Sequence, residues 1–287
     1  MKRRRTMKKL TLKLLALALA CIMLLPMAIA CTEEDDTEEP QTEAEKFDAM
    51  SEADKAFYLL KKDYEDGGKM SADLNATLET TYSGYKVNAI LSGKSVEINT
   101  GNTYIDYTEM TMSMTMAGNA SVSTTKNGWI DGKFFIYTSY NGSDDGEGYY
   151  ELMSKEDYIA EKEKEQGGFA ENFGITKENC STVTCTKNGY GNWVATFTDL
   201  NESGLTEFKL LVESFSGLVD PESLVDVEFT IVVTSDLKPL SISADFEFSG
   251  NNPPLLTLEG EYTIGNDVET PEIDLTGYQE IKDGITA

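Results

Sequence analysis

Three stretches alternate apolar and polar residues with a period of two, and this limits the fold more than any other feature of the chain. Leu240, Ile242, Ala244, Phe246 and Phe248 interleave with Ser241, Ser243, Asp245, Glu247 and Ser249. Leu256, Leu258, Tyr262 and Ile264 share a face opposite Thr257, Glu259, Glu261 and Thr263. Ala72, Leu74, Ala76 and Leu78 alternate with Asp73, Asn75, Thr77 and Glu79. A period of two over this length specifies antiparallel strands with one dry and one wet face. Asn127-Gly128, Asp131-Gly132 and Asn188-Gly189 are the residue pairs that two-residue hairpin turns favour.

Three segments have helical spacing instead. Ser51 is placed to cap the first, with Asp54 three residues on and Phe57, Leu60 and Tyr64 following at helical intervals. Ser154 is placed to cap a second, SKEDYIAEKEKE, whose polarity predicts a surface position. The third runs from about Glu202 to Ser216, with Leu205, Phe208, Val212 and Phe215 as its apolar stripe and Gly217 and Pro221 as stops. So few helices leave much of a sheet face to be covered. The expected architecture is an α+β fold: a curled antiparallel sheet forming a half-open barrel, with a few helices packed on or covering its concave face. Such a sheet encloses a trough lined by side chains.

The N-terminal 30 residues follow a different logic. Lys2, Arg3, Arg4, Arg5, Lys8, Lys9 and Lys13 precede an apolar run from Leu14 to Ala30, which closes on Ala28-Ile29-Ala30-Cys31. Basic, apolar and small-residue regions in that order are the pattern of a secretory signal and stand outside the fold. The closing Cys31 resembles the lipobox of bacterial lipoproteins, with Ala28 where that family usually carries Leu. The resemblance implies a lipidated, palmitate-bearing N-terminal cysteine anchoring an extracytoplasmic protein to the cell membrane. Cys21, after Ala18-Leu19-Ala20, is the second candidate, but it would leave Ile22 to Ile29 on the mature chain. An ordinary cleaved signal or an uncleaved anchor are the other readings. From Thr32 to Glu45 the sequence TEEDDTEEPQTEAE has eight carboxylates and no aromatic residue. A segment that buries so little apolar surface stays extended. The expected organisation is therefore a signal peptide over 1–30, lipidated Cys31 and an acidic tether over 31–45, and one β-rich domain over 46–287.

Removing the leader takes seven of the 24 basic residues and leaves 17 against 50 carboxylates, a formal charge of −33. A surface of that sign repels nucleic acid and anionic bilayers, so membrane attachment is expected through the lipid anchor alone. The chain contains no histidine. That removes the commonest general base and the commonest metal ligand. No catalysis and no cofactor are expected. With Cys21 in the leader and Cys31 lipidated, Cys180 and Cys185 remain for a disulfide or as independent thiols. Their odd separation sets them on opposite faces of a regular strand, so a bridge requires the chain to turn between them.

Met110, Met112, Met114 and Met116 alternate with Thr111, Ser113 and Thr115, so the four thioethers face one way. Methionine is flexible and polarisable and lines adaptable apolar pockets. This column is the candidate ligand-binding site, for a lipid or another hydrophobic small molecule. Filling the core under the helices is the plain alternative, and a soft-metal site is the third. The loop Asn141-Gly142-Ser143-Asp144-Asp145-Gly146-Glu147-Gly148 begins with calcium-loop spacing but has Leu152 where the closing glutamate would stand, which favours an acidic hairpin loop. Trp129, Trp193, Tyr149 and Tyr150 read as structural aromatics, although Trp193 follows Tyr190-Gly191-Asn192 and could sit at a rim.

The order of elements runs from an N-terminal helix through hairpins containing Trp129-Ile130-Asp131-Gly132-Lys133, a helical insertion, and alternating strands turning at Asp236-Leu237-Lys238-Pro239. It closes with Tyr262-Thr263-Ile264-Gly265 through Thr270-Pro271-Glu272-Ile273. Over about residues 46–282 this resembles the LolA/LppX-like superfamily of envelope lipoproteins and carriers. The resemblance is one of pattern, with no site residue to carry over. It implies a half-barrel whose cavity takes acyl chains or lipidated partners. Its rival is an interaction module with a filled core that contacts an envelope protein.

Overall fold

A computed structural model describes residues 42–62, 68–101, 103–140, 146–165, 174–215 and 217–281. The protein is mostly β: among the described residues twelve strands form a single curled sheet that does not close on itself. In chain order the elements are α1 (Glu43–Asp48), α2 (Glu52–Lys61), β1 (Lys69–Tyr82), β2 (Tyr85–Asn99), β3 (Tyr104–Met116), β4 (Asn119–Ile130), β5 (Lys133–Tyr140), β6 (Glu147–Leu152) and α3 (Lys155–Glu165). There follow β7 (Cys180–Lys187), β8 (Trp193–Leu200), α4 (Glu202–Ser214), β9 (Leu224–Val233), β10 (Pro239–Phe248), β11 (Leu255–Ile264) and β12 (Gln279–Glu280). Across the sheet the order is β12-β6-β5-β4-β3-β2-β1-β11-β10-β9-β8-β7. Every neighbouring pair is antiparallel except β12, which runs parallel to β6.

The alternating segments form β1, β10 and β11. Ala72, Leu74, Ala76 and Leu78 are buried, as are Ile242, Ala244, Phe246 and Phe248 from β10 and Leu256 and Leu258 from β11. Registers place Ala76 beside Leu258 and Leu91, and Ala244 beside Leu258 and Phe229, so one continuous apolar face crosses the strands. Helices α2 and α4 pack on that face. Phe57 from α2 meets Phe197 edge-on with ring centroids 5.4 Å apart, while Phe208 from α4 meets Phe246 at 5.9 Å. Each such ring contributes about 1.5–3 kcal/mol through burial.

The helix caps act as expected at two starts. Ser51 Oγ accepts the Asp54 amide at 3.2 Å, and Ser154 Oγ accepts the Asp157 amide at 3.1 Å. At α4, Asn201 supplies the cap by accepting the Ser203 and Gly204 amides. Helical order also begins earlier than composition indicates. A Thr42–Glu45 capping box starts α1 inside the acidic segment, and Phe47 then anchors it against Trp193 at 5.2 Å. Tyr64, Cys21, Cys31, the leader and most of the tether lie outside the described residues.

Asp131-Gly132 is the expected two-residue turn, with both φ values positive, 49° and 78°, between paired Ile130 and Lys133. Asn188-Gly189 opens a five-residue loop between Lys187 and Trp193. Asn127-Gly128 is no turn but lies inside β4. Gly128 has φ of +150°, and a Cβ there would stand 2.0 Å from the Asp106 carbonyl oxygen, so the glycine answers to close strand contact. Two further turns with paired positive φ join β1 to β2 at Ser83-Gly84 and β3 to β4 at Ala117-Gly118.

The opposite face is not wholly wet. Val96, Ile98, Ile105, Tyr107, Phe135 and Val268 form a second core, covered by the C-terminal segment through Ile273, Leu275 and Tyr278. In β2 the buried positions therefore change from Val87, Ala89 and Leu91 on one face to Val96 and Ile98 on the other, with no break in register.

Candidate functional site

The methionine column lies on β3 and faces the main core. Met112 pairs with Leu91, Met114 with Ala89 and Met116 with Val87, all on the apolar face. Burial falls steadily along it: Met110 is 5% exposed, Met112 and Met114 are half-buried, and Met116 is 36% exposed. Gly93, opposite Met110, opens space that the Met110 side chain fills, since a Cβ there would meet Met110 Cγ at 3.2 Å. On the other flank, Ser121, Ser123 and Thr125 of β4 face the methionines. The column is thus where the aliphatic sheet face gives way to hydroxyl-bearing side chains.

On the same face, β3 continues from the methionines into Thr108, Asp106 and Tyr104. Thr108 and Ser95 are both buried, and the Thr108 hydroxyl donates to Ser95 Oγ at 3.4 Å. Beyond them α3 settles on the sheet through Lys162, which is ion-paired with Asp106 and with Glu97 at 3.2 Å. Burial opposes the ammonium charge, but Asp106 and then Glu97 outweigh it, so Lys162 titrates above its ordinary range. Tyr158 stacks on Trp129 and lies 6.3 Å from Tyr104, and burial, with Asp106 beside them, raises the pKa of both phenols. The sequence predicts a solvated α3. Its polarity conceals that Tyr158 and Lys162 lie four apart and point into the sheet.

Cys180 and Cys185 are both buried free thiols. They do not sit on opposite faces, as regular alternation requires: both join the main core. The reason is local. Asp199 adopts φ of +55°, its amide held by Asp226 at 3.2 Å, and the β7–β8 ladder is irregular there. Leu200 and Cys180 consequently turn inward together. Five residues of extended strand span about 16 Å, against about 7 Å for bridged Cα atoms, so the pair is unbridged. Burial pushes Cys185 up to about 11 and also raises Cys180.

An open cavity of about 530 Å³ lies near these residues, bordered by Lys177, Glu178, Asp199, Asp226 and Glu247. Four carboxylates and one ammonium make it unsuited to an acyl chain. Its Asp226 is already engaged in holding the Asp199 and Leu200 amides. Among the described residues no group of three Cys, Asp or Glu side chains is arranged to hold a metal ion. Residues 141–145 of the calcium-like loop lie outside the described residues. Trp193 is 8% exposed and Trp129 7%, and Trp129 Nε1 donates to the Met153 carbonyl at 2.9 Å. Neither forms a carbohydrate platform; Tyr190, in the loop before Trp193, is the exposed aromatic there, at 92%. Among the described residues no helix is long and apolar enough to cross a membrane.

The fold and this face define a mostly-β protein whose large open sheet is dry on the side bearing the methionine column. No protein-family model matches the chain, and no curated protein matches it in sequence.

Proposed function

We propose that the protein is a lipid-anchored, extracytoplasmic lipoprotein that binds a hydrophobic ligand, a lipid or acyl chain, along the methionine column without catalysing a reaction. The observation that carries this reading is the gradient from buried Met110 to exposed Met116 on one apolar face. An alkyl chain laid along Met112, Met114 and Met116 would continue the aliphatic surface of Leu91, Ala89 and Val87. Thioethers suit such contacts because they repack around chains of different shape. The lipobox-like sequence ending at Cys31 and the resemblance to LolA/LppX-like half-barrels, with helices covering the concave face, favour the same assignment.

The second reading is an envelope interaction module with a filled core. It draws on Met110, Phe57 and Phe208, which already occupy part of the face. Native mass spectrometry of the full chain from bacterial membranes, followed by solvent extraction, separates the two. A co-purified apolar molecule supports the ligand reading, whereas an unchanged bare mass after incubation with lipid vesicles favours the interaction module.

A further inference from the structure

Three neighbouring turns at one end of the sheet carry almost no charge. They join β1 to β2, β3 to β4 and β10 to β11, and the strand order β4-β3-β2-β1-β11-β10 sets them side by side. Residues 80–87, 115–122 and 249–255 contain one charged side chain, Lys86, and no carboxylate, in a chain that has 50. Carboxylates begin only inside the strands, at Glu79 and Glu247. At the opposite end the turns bear Asp131, Asp236 and Asp267. In place of charge, the first end exposes Tyr82, Tyr85, Met116 and Leu255. The β1–β2 turn stands furthest out, because pairing of this hairpin with β11 stops at Glu79 and with β3 at Val87. Thr80 to Tyr82 therefore project by about 10 Å as one arm of a prong. Tyr82 pairs with Tyr85 across the positive-φ turn Ser83-Gly84, and the two are 46% and 56% exposed.

We infer that these three turns dock on a lipid bilayer, with the tyrosine prong in the headgroup layer. The inference goes beyond the ligand reading and does not depend on it. Tyrosine suits that layer because its ring is apolar and its hydroxyl takes a polar partner. Carboxylates would be repelled there by anionic lipid and desolvated by any lipid. The chain as a whole is strongly acidic, so an end whose turns lack carboxylates is the one that can approach. On one flank the same end becomes acidic, with Asp199, Asp226 and Glu247 bordering the open cavity, which confines the contact to the three turns. A prong enters a fluid layer without a matching pocket, which a rigid protein partner would have to supply.

The test uses the full chain floated with phosphatidylcholine vesicles. An environment-sensitive fluorophore is placed on Ser83→Cys, in the prong, or on Gly189→Cys, in the β7–β8 loop at the opposite end of the sheet. Lipids carrying a nitroxide on the headgroup should quench the label at position 83 and leave that at position 189 unquenched. Tyr82→Asp with Tyr85→Asp should abolish the quenching at 83 and leave the thermal midpoint unchanged, since both rings lie outside the core. No quenching at 83, or equal quenching at both positions, would overturn the docking surface. So would a dimer in solution that the two tyrosine substitutions dissociate, because the patch would then belong to a second copy of the chain.

Discussion

The same sheet face is covered in two different ways. Over β7–β11 the cover is aromatic and dry: Phe47, Phe57 and Phe208 from the helices meet Trp193, Phe197, Phe229 and Phe246. Over β3–β5 it is α3, which contributes Tyr158 and the Lys162 ion pairs, and next to it the methionines emerge half-covered. A packed aromatic interface stabilises through area and shape and leaves no room for a guest. A buried ion pair contributes little net stability but makes the docking position specific. The first half is thus the scaffold, and the second is where we propose that a ligand is accommodated.

The largest effect is expected in the dry half. Phe208→Ala should lower unfolding free energy by about 4 kcal/mol, because a fully buried ring is exchanged for a cavity. Urea titration followed by circular dichroism measures it, and a loss below about 1 kcal/mol would erase the distinction between the halves. Lys162→Met should cost about 3 kcal/mol by leaving Asp106 and Glu97 facing each other beneath α3. Combining it with Asp106→Asn should restore part of that loss, and hydrogen exchange should quicken in α3 while α2 stays protected.

Met112→Asp with Met114→Asp should abolish uptake of an apolar probe with a smaller stability change than Phe208→Ala, since both positions are only half-buried. A folded variant that still binds would remove the methionine column from the account. Ser51→Ala removes the α2 cap and should cost about 1 kcal/mol, read from the thermal midpoint. The mildest effect is at Cys185. Its thiol is held neutral by burial, so the stability tied to it is complete below the ordinary thiol range and is lost as pH rises towards about 11. Alkylation mapped by mass spectrometry should accordingly remain slow at Cys185 through about pH 9 in the native protein, which is the ordinary thiol range, and become rapid on unfolding.

The strands of the dry half are legible from sequence because only one of their faces is buried, and alternation such as Ile242 to Phe248 has a single solution. β2 is harder to read: Val87, Ala89 and Leu91 serve one core, Val96 and Ile98 another, and a pattern that changes face resembles noise. Asn127-Gly128 misleads for a similar reason, since a glycine needed for a close backbone approach looks the same as one needed for a turn. Alternation does place all four methionines on one face, but their gradient of exposure depends on where α3 and the turns lie. The Lys162–Asp106–Glu97 cluster joins residues 56 and 65 positions apart. No local pattern announces such a cluster.

The most direct test of the proposed ligand site is a methyl NMR titration of the protein, labelled at its methionines, with diphenylhexatriene. The account predicts saturable shifts at Met112, Met114 and Met116, with Met50 and Met153 unmoved. Saturable binding that leaves those three resonances in place, or no binding at all, would contradict it.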